Sequence, residues 1–334
     1  MNSKLTQIPT NIITGFLGVG KTSSILHLLK HKPKNERWAV LVNEFGEIGI
    51  DGSLMQGHHS EGSGVFIQEV PGGCMCCAAG LPMQVALNQL LSKAKPDRLL
   101  IEPTGLGHPI EVIQILSDKF YQQVLKIEKI LTLVDARNLT DCRYTEHDTF
   151  NQQISIADIV IGNKRDLYQT DESNTLEQYV KKTVGKGDSN KVTVRFTERG
   201  KIDPKWLQGE TAAIARHSHH HHHHASNKPD LNTMDIPEVG YIKAENEGEG
   251  FSSIGWRFGS NKVFNRNKLH IFLSGLNAER MKAVFITEQG IFGYNLTRDS
   301  LTEIELDEVV ESRIEIIAYE SQSQWQDNLL ACID

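Results

Sequence analysis

The sequence has little of what secreted, membrane-spanning or nucleic-acid-binding proteins need. It holds only five cysteines among 334 residues, three of them at positions 74, 76 and 77, which is unsuited to a secreted disulfide framework. Neither an apolar run of about 18 residues nor a signal-peptide pattern occurs. The 35 basic and 42 acidic residues give a net charge of −7, and no basic block stands out. We therefore expect a cytoplasmic protein that binds neither nucleic acid nor membrane.

The periodicity of the sequence divides the chain into three parts. Over residues 1–204, short apolar runs alternate with helical patterns, which is typical of βαβ units and a mostly parallel sheet with helices on both faces. The apolar runs predict strands over Asn11 to Thr14, Trp38 to Asn43, Val65 to Val70, Arg98 to Glu102, Ile130 to Asp135, Ile159 to Asn163 and Val192 to Phe196. The helical patterns predict helices over Lys21 to Lys30, Leu81 to Lys93, Pro109 to Phe120, Asn151 to Ala157 and Thr175 to Thr183. Residues 205–236 are polar and rich in histidine and read as a linker. Residues 237–334 predict a smaller α+β domain. The predicted fold class is α/β, with this second domain attached.

A phosphate-binding loop is the strongest motif of the chain. Gly15 to Thr22 reads G-F-L-G-V-G-K-T, matches G-x-x-x-x-G-K-[ST], and lies between an apolar run and a helical pattern. The glycines let backbone amides surround phosphate oxygens, and the following helix directs its positive end at them. The motif predicts nucleotide binding by Gly15, Gly18, Val19, Gly20, Lys21, Thr22 and Ser23, with Thr22 as a Mg²⁺ ligand.

A second motif indicates which base is read. Asn163-Lys164-Arg165-Asp166 follows the apolar run Ile159 to Ile161, as the guanine-reading loop of GTPases does. The Asp166 carboxylate can accept hydrogen bonds from the N1–H and the amine of guanine, which adenine lacks. Asn163, Lys164 and Asp166 are therefore predicted to select GTP.

A third segment, Leu99 to Gly105, supplies an acid at the end of a predicted strand. Glu102 is predicted to hold Mg²⁺, and the Gly105 amide to respond to the γ-phosphate. Hydrolysis of GTP to GDP would then depend on positioning and on charge neutralisation by Lys21. Asp51 is a candidate for orienting the attacking water.

Two segments carry metal-binding side chains. Cys74, Cys76 and Cys77 lie on a Gly-rich turn before a helix, where thiolates are favoured and bind soft ions such as Zn²⁺, Cu⁺ or Co²⁺. The second segment is a tract of histidines within residues 217–224. Because it lies inside the chain and not at an end, we interpret it as native and not as an engineered tag, and its composition suits capture or buffering of metal. Its histidines are His217, His219, His220, His221, His222, His223 and His224.

Together these motifs, with Asn43-Glu44-Phe45-Gly46 and Asp51, closely resemble the CobW-type metallochaperone GTPases, and among them the YeiR-like zinc-binding branch. The resemblance spans nearly the whole chain and implies a P-loop GTPase domain followed by a CobW-type C-terminal domain. It implies that Cys74, Cys76 and Cys77 form an internal metal site, near a switch segment that contains Glu44, which is suggested as a further ligand. Family members serve cobalt and other metals as well, so the assignment of Zn²⁺ depends on the nearest branch and on the softness of the thiolates.

The resulting hypothesis is a zinc metallochaperone in which GTP binding and hydrolysis control metal affinity and transfer to an unknown zinc-dependent client protein. Two alternatives stay open. One is a zinc buffer that uses the histidine tract, and the other is a GTPase that inserts nickel or cobalt. The client and the oligomeric state are not indicated by the sequence, and a homo-oligomer is left open.

Overall fold

The fold was analysed in a computed structural model. It describes residues 5–43, 64–70, 81–169, 171–185, 192–213, 237, 240–248, 250–306, 309 and 311–334. The chain forms two compact units, and the described residues up to 213 belong to the first, those from 237 onward to the second. No helix in these ranges is both long and apolar enough to cross a membrane.

The first unit alternates strands and helices, as the sequence predicted. Its strands are β1 Ile8–Gly15, β2 Trp38–Asn43, β3 Val65–Val70, β4 Arg98–Glu102, β5 Leu125–Ile127, β6 Leu131–Val134, β7 Ile159–Gly162 and β8 Thr193–Phe196. Its helices are α1 Lys21–Lys30, α2 Leu81–Ala94, α3 Pro109–Leu116, α4 Lys119–Val124, α5 Cys142–Thr145, α6 Asp148–Ser155 and α7 Glu172–Val184.

These strands form one parallel sheet in the order β3-β2-β4-β1-β6-β7-β8, and β5 pairs with the first half of β1. In β1, β6 and β7 nearly every residue is buried, as expected for a parallel sheet covered on both faces. Because all pairs are parallel, the carboxyl ends of the strands lie at one edge of the sheet. The α/β fold class is confirmed.

Several local predictions for the first unit need correction. The helix expected from Pro109 to Phe120 is two helices, because the Ser117 hydroxyl bonds back to the Ile113 carbonyl and Asp118 caps a new helix at the Phe120 amide. The short strand β5 was missed, and β1 begins three residues before the predicted start. Pro9 obscures that start, and it is tolerated because it lies near the strand's first residue.

The second unit is an antiparallel sheet with two helices. Its strands are β9 Tyr241–Gly248, β10 Phe251–Phe258, β11 Arg280–Thr287, β12 Gly290–Thr297, β13 Leu301–Leu306 and β14 Ser312–Ala318, in the order β13-β12-β11-β14-β10-β9. The helices α8 Arg266–Ser274 and α9 Gln324–Leu330 cover one face with Leu269, Leu273, Trp325 and Leu329. The predicted α+β character is confirmed, although the polar edge strands β9 and β13 were missed.

Candidate nucleotide-binding site

The phosphate loop connects β1 to α1 at the carboxyl edge of the sheet. Gly18 and Gly20 have φ angles of +67° and +93°, in the left-handed region that favours glycine. A Cβ on Gly20 would also lie only 2.6 Å from the Asn163 side-chain nitrogen. The glycines of the motif are thus required by the backbone itself, and α1 begins directly at Lys21.

Lys21 and Phe16 are both held inside the loop. The Lys21 side chain is buried, and its Nζ donates to the Phe16 carbonyl at 3.2 Å. The Phe16 ring meets the rings of Tyr144, His147 and Phe150 at centroid distances of 5.2, 4.8 and 5.8 Å. Aromatic packing beneath the loop therefore fixes the carbonyl that orients the lysine ammonium.

Thr22 and Glu102 meet where a magnesium ion is expected. The Thr22 hydroxyl donates to Glu102 Oε1 at 3.0 Å, and Glu102 is 1% exposed at the end of β4. Hydroxyl and carboxylate oxygens are ligands that Mg²⁺ prefers, so this pair fits the ion. Ser23, the next residue of α1, is exposed.

Gly105 follows β4 and lies against the phosphate loop. A Cβ at this position would lie 2.8 Å from Leu17 Cδ2 and 3.0 Å from the Leu17 amide nitrogen, so a larger residue would displace the loop. The Gly105 carbonyl accepts a hydrogen bond from the Gln153 side chain at 2.9 Å. The structure therefore brings Gly105 beside the loop, as its predicted role requires.

The Asn163 side chain points into the protein. Its amide nitrogen donates to the Val19 carbonyl at 2.8 Å, and its Oδ1 accepts from the Gly200 amide at 3.0 Å. Lys164 is in the left-handed region with φ +58° and lies 3.6 Å from Asp135. Asp166 remains accessible, with its carboxylate 3.9 Å from Arg199 Nε. Asn163 thus acts as a connector, and Asp166 is the member of this loop available to a base.

Sequence reasoning missed four residues that support these loops. Asp135 caps the 3₁₀ turn at Ala136–Thr140, which ends the predicted strand one residue early. Gly200, with φ +69°, packs on Ser24 of α1. Gln153 contacts Gly105. The position of Asp135 at the end of an apolar run could have identified it as a candidate site residue, whereas no local pattern marks Gln153 or Gly200.

Tyr168 is the fourth of these residues. Its hydroxyl donates to the Asn163 carbonyl at 2.8 Å and accepts from the Ala136 amide at 3.1 Å. Burial raises the pKa of Tyr168 from 10.0 to about 12. The phenol is therefore neutral at physiological pH and can donate and accept at once.

The remaining predicted site residues lie outside the described part of the chain. They are Glu44, Asp51, Cys74, Cys76, Cys77, His217, His219, His220, His221, His222, His223 and His224. The strands that lead to two of these segments are described: Asn43 ends β2 and Val70 ends β3, and the two residues pair. Within the described ranges, no cluster of three or more metal-binding side chains occurs.

Three features together define a P-loop GTPase domain. A phosphate loop follows the first strand of a parallel sheet, and the acid at the end of β4 accepts a hydrogen bond from Thr22. An Asn-Lys-x-Asp loop is joined to that phosphate loop by a hydrogen bond. The family model described as CobW/HypB/UreG, nucleotide-binding domain, matches residues 9–189. The chain belongs to this family.

Known relatives extend the match to most of the chain. The sequence is 40% identical over 325 residues to the zinc chaperone YeiR of Escherichia coli, covering 95% of this chain and 94% of the relative. It is 28% identical over 267 residues to the zinc chaperone CobW of a Sinorhizobium species, covering 71% and 74%. Among solved structures, the chain is similar to the Zn(II)-bound YjiA GTPase from E. coli, with 18% identity and a TM-score of 0.45. The superposition covers 98% of this chain and 99% of the YjiA chain.

Proposed function

We propose that this protein is a cytoplasmic, GTP-hydrolysing zinc metallochaperone that binds Zn²⁺ at Cys74, Cys76 and Cys77 and delivers it to a client protein. The high identity to a relative named as a zinc chaperone, over 95% of the chain, supports the zinc assignment. Thiolates are suited to Zn²⁺, which supports the cysteine loop as the site.

The register of three adjacent strands carries the proposed coupling between nucleotide and metal. Val42 of β2 pairs with Glu69 of β3 on one side and with Glu102 of β4 on the other. Since adjacent strands lie about 4.8 Å apart, the backbone of Glu69, next to the end of β3, lies about 10 Å from the backbone of Glu102. Because β3 precedes the three cysteines in the chain, a rearrangement around Glu102 on hydrolysis is proposed to affect the metal through these strands.

The described side chains have defined roles in this proposal. Lys21 donates to the β- and γ-phosphates, the Gly105 amide responds to the γ-phosphate, and Asp166 accepts from the guanine edge. Mg²⁺, when bound by Thr22 and Glu102, would supply charge neutralisation at the phosphates. Asp51 is proposed to orient the attacking water, and Glu44 to contribute to the zinc site.

A titration tests the coupling. Zn²⁺ affinity is measured against a chromophoric chelator with a nonhydrolysable GTP analogue and with GDP. We expect tighter binding with the analogue, because only a difference in affinity between the two states can make release directional. Equal affinities would contradict the coupling, and competition with Ni²⁺ and Co²⁺ would test the choice of metal.

Two variants separate transfer from storage. The triple replacement of Cys74, Cys76 and Cys77 by Ser should abolish the nucleotide-dependent component of zinc binding. Deletion of residues 219–224 should remove only weaker, nucleotide-independent capacity. The reverse result, with nearly all capacity lost on deletion and none on Cys replacement, would favour a zinc buffer.

A further inference from the structure

Gln153 lies on α6, outside every motif of the sequence, yet its side chain reaches the Gly105 segment. Its amide nitrogen is 2.9 Å from the Gly105 carbonyl, and the residue is 1% exposed. A carbonyl oxygen only accepts hydrogen bonds, so the Gln153 atom that faces it is the donating nitrogen. The bond is therefore directional and shielded from water.

Gly105 is held from two sides. Leu17 of the phosphate loop leaves no room for even a methyl group on Gly105, and Gln153 binds the carbonyl that follows. With the carbonyl fixed on one side and Leu17 packed on the other, the Gly105 backbone has little freedom to rotate. Such restraint presents a backbone N–H to a ligand in one orientation without reorganisation at the moment of binding.

The helix that carries Gln153 is itself attached to the phosphate loop. The rings of His147 and Phe150 lie edge-on to the Phe16 ring, and the Thr132 hydroxyl donates to the Gln153 main-chain carbonyl at 2.7 Å. The start of α6 thus contacts Phe16 of the loop, and its last turn contacts Gly105. A shift at either loop would be transmitted through one short, packed helix.

Stability alone gives little reason for a glutamine at this position. The Oε1 atom of Gln153 is buried and has no hydrogen-bond partner among the residues that the structure describes. An apolar side chain of similar volume would remove this unsatisfied acceptor but would leave the buried Gly105 carbonyl without its donor, so the two effects on stability offset each other in part. Among the described residues, the Gln153 side-chain amide therefore makes a single hydrogen bond, which is the one to the Gly105 carbonyl.

We infer that Gln153 is a positioning residue that sets the preference for GTP over GDP. By holding the Gly105 carbonyl while Leu17 packs against the other side, it restricts rotation about the two backbone bonds of Gly105, so that the Gly105 amide faces the γ-phosphate, an interaction that GDP does not offer. The inference rests on the proposed function, because it requires the site to bind guanine nucleotides. It assigns to α6 a part in nucleotide discrimination.

The full-length Gln153→Met variant tests this role. The variant lacks the hydrogen bond to the Gly105 carbonyl, which we expect to matter only in the GTP-bound state. Binding of a nonhydrolysable GTP analogue with Mg²⁺ should therefore weaken by about tenfold. GDP affinity should stay within about twofold, because GDP has no γ-phosphate for the amide to meet. In steady-state hydrolysis, kcat should fall while the melting temperature changes little.

Gln152→Met is the matched control, because the neighbouring Gln152 side chain contacts His108 at 3.3 Å and not Gly105. It should keep the wild-type ratio of the two affinities. If Gln153→Met fails to fold, Gln153→Leu, another neutral side chain of similar volume without a donor, should lower the same ratio.

The outcomes distinguish this inference from the proposed function. A wild-type protein that binds neither guanine nucleotide would overturn the proposed function. A wild-type protein that prefers the GTP analogue, with a Gln153→Met variant that keeps that preference, would overturn the role of Gln153 alone.

Discussion

The side-chain amide of Asn163 donates a hydrogen bond to the main-chain carbonyl of Val19 at 2.8 Å. The loop predicted to read guanine is thereby joined directly to the loop predicted to bind phosphate, although the two residues are 144 positions apart in the chain. Base and phosphate contacts cannot shift independently while this bond is in place.

Replacing Asn163 by Ala should therefore affect both folding and binding. The change removes the donor to Val19 and the acceptor for Gly200, and leaving buried partners unpaired costs about 1–3 kcal/mol each. We expect the free energy of unfolding in urea to fall by about 2–4 kcal/mol, and GTP binding to weaken. Asn163→Asp should lose at least as much, because its carboxylate would place a buried negative charge against the Val19 carbonyl oxygen. An unchanged urea midpoint in Asn163→Ala would contradict this connecting role.

Asp166 should determine the base. In Asp166→Asn, one of the two carboxylate oxygens becomes an amide nitrogen, which would meet the exocyclic amine of guanine donor to donor, and GTP affinity should fall at least about 100-fold. A xanthine nucleotide, which has a carbonyl oxygen in place of that amine, should regain affinity. Competition binding with GTP, ATP and XTP measures the shift. Glu198→Gln, an exposed change on the neighbouring loop, serves as the control, and undiminished GTP preference in Asp166→Asn would show that the base is read elsewhere.

The Thr22 and Glu102 pair should control the response to magnesium. Glu102→Gln removes the charge at nearly constant shape, and Thr22→Ala removes the hydroxyl that bonds to it at 3.0 Å. Each should lower kcat for GTP hydrolysis about 100-fold or more and shift the Mg²⁺ requirement to higher concentrations. Nucleotide affinity in EDTA should change little. The exposed Thr140→Ala variant should behave as wild type, and a normal Mg²⁺ dependence in Glu102→Gln would refute the assignment.

Tyr168 should contribute to the alkaline limit of stability. Because burial raises the pKa of Tyr168 from 10.0 to about 12, the folded protein keeps the phenol proton to higher pH than the unfolded chain does. Its contribution is fully present below pH 10 and is lost as the pH rises through 12. Tyr121 and Tyr179 of this unit also have pKa values raised by burial, but both residues are present in wild type and in Tyr168→Phe, so their effects cancel in the comparison.

The measurement is unfolding by urea at several pH values. Tyr168→Phe should be less stable near neutral pH by about 1–2 kcal/mol, because the bonds to Asn163 and Ala136 are lost. The difference from wild type should shrink between pH 10 and 12. A difference that stays constant across this window would show that Tyr168 titrates normally.

The elements of the first unit were largely readable from local sequence. The runs Trp38–Asn43, Val65–Val70 and Arg98–Glu102 are strands with the predicted bounds. The first and third are central strands whose apolar residues end at a polar one, and the partly buried edge strand Val65–Val70 was readable because Pro71, Gly72 and Gly73 follow it. The start of α1 at Lys21 was equally clear, since the glycines before it require left-handed backbone.

Elements with weak local signals were missed. β5 has only three residues and pairs along the side of β1, so its stability comes from its neighbour. The edge strand β13 has a half-exposed, polar pattern that reads as loop. The predicted helix is divided near Ser117 by side-chain hydrogen bonds of Ser117 and Asp118 that compete with the helical ones. Hydrophobic periodicity contains no information on such bonds.

The sequence by itself determined the phosphate loop, the order of strands and helices, and the chemical type of each candidate ligand, because glycine conformation, hydrophobic period and side-chain chemistry are local properties. Only the tertiary structure decided which strands are neighbours, that Asn163 faces inward to Val19, and that Gln153 holds Gly105. Each of these depends on contacts between residues far apart in the chain, and such contacts arise only when burial of the whole sheet brings the segments together.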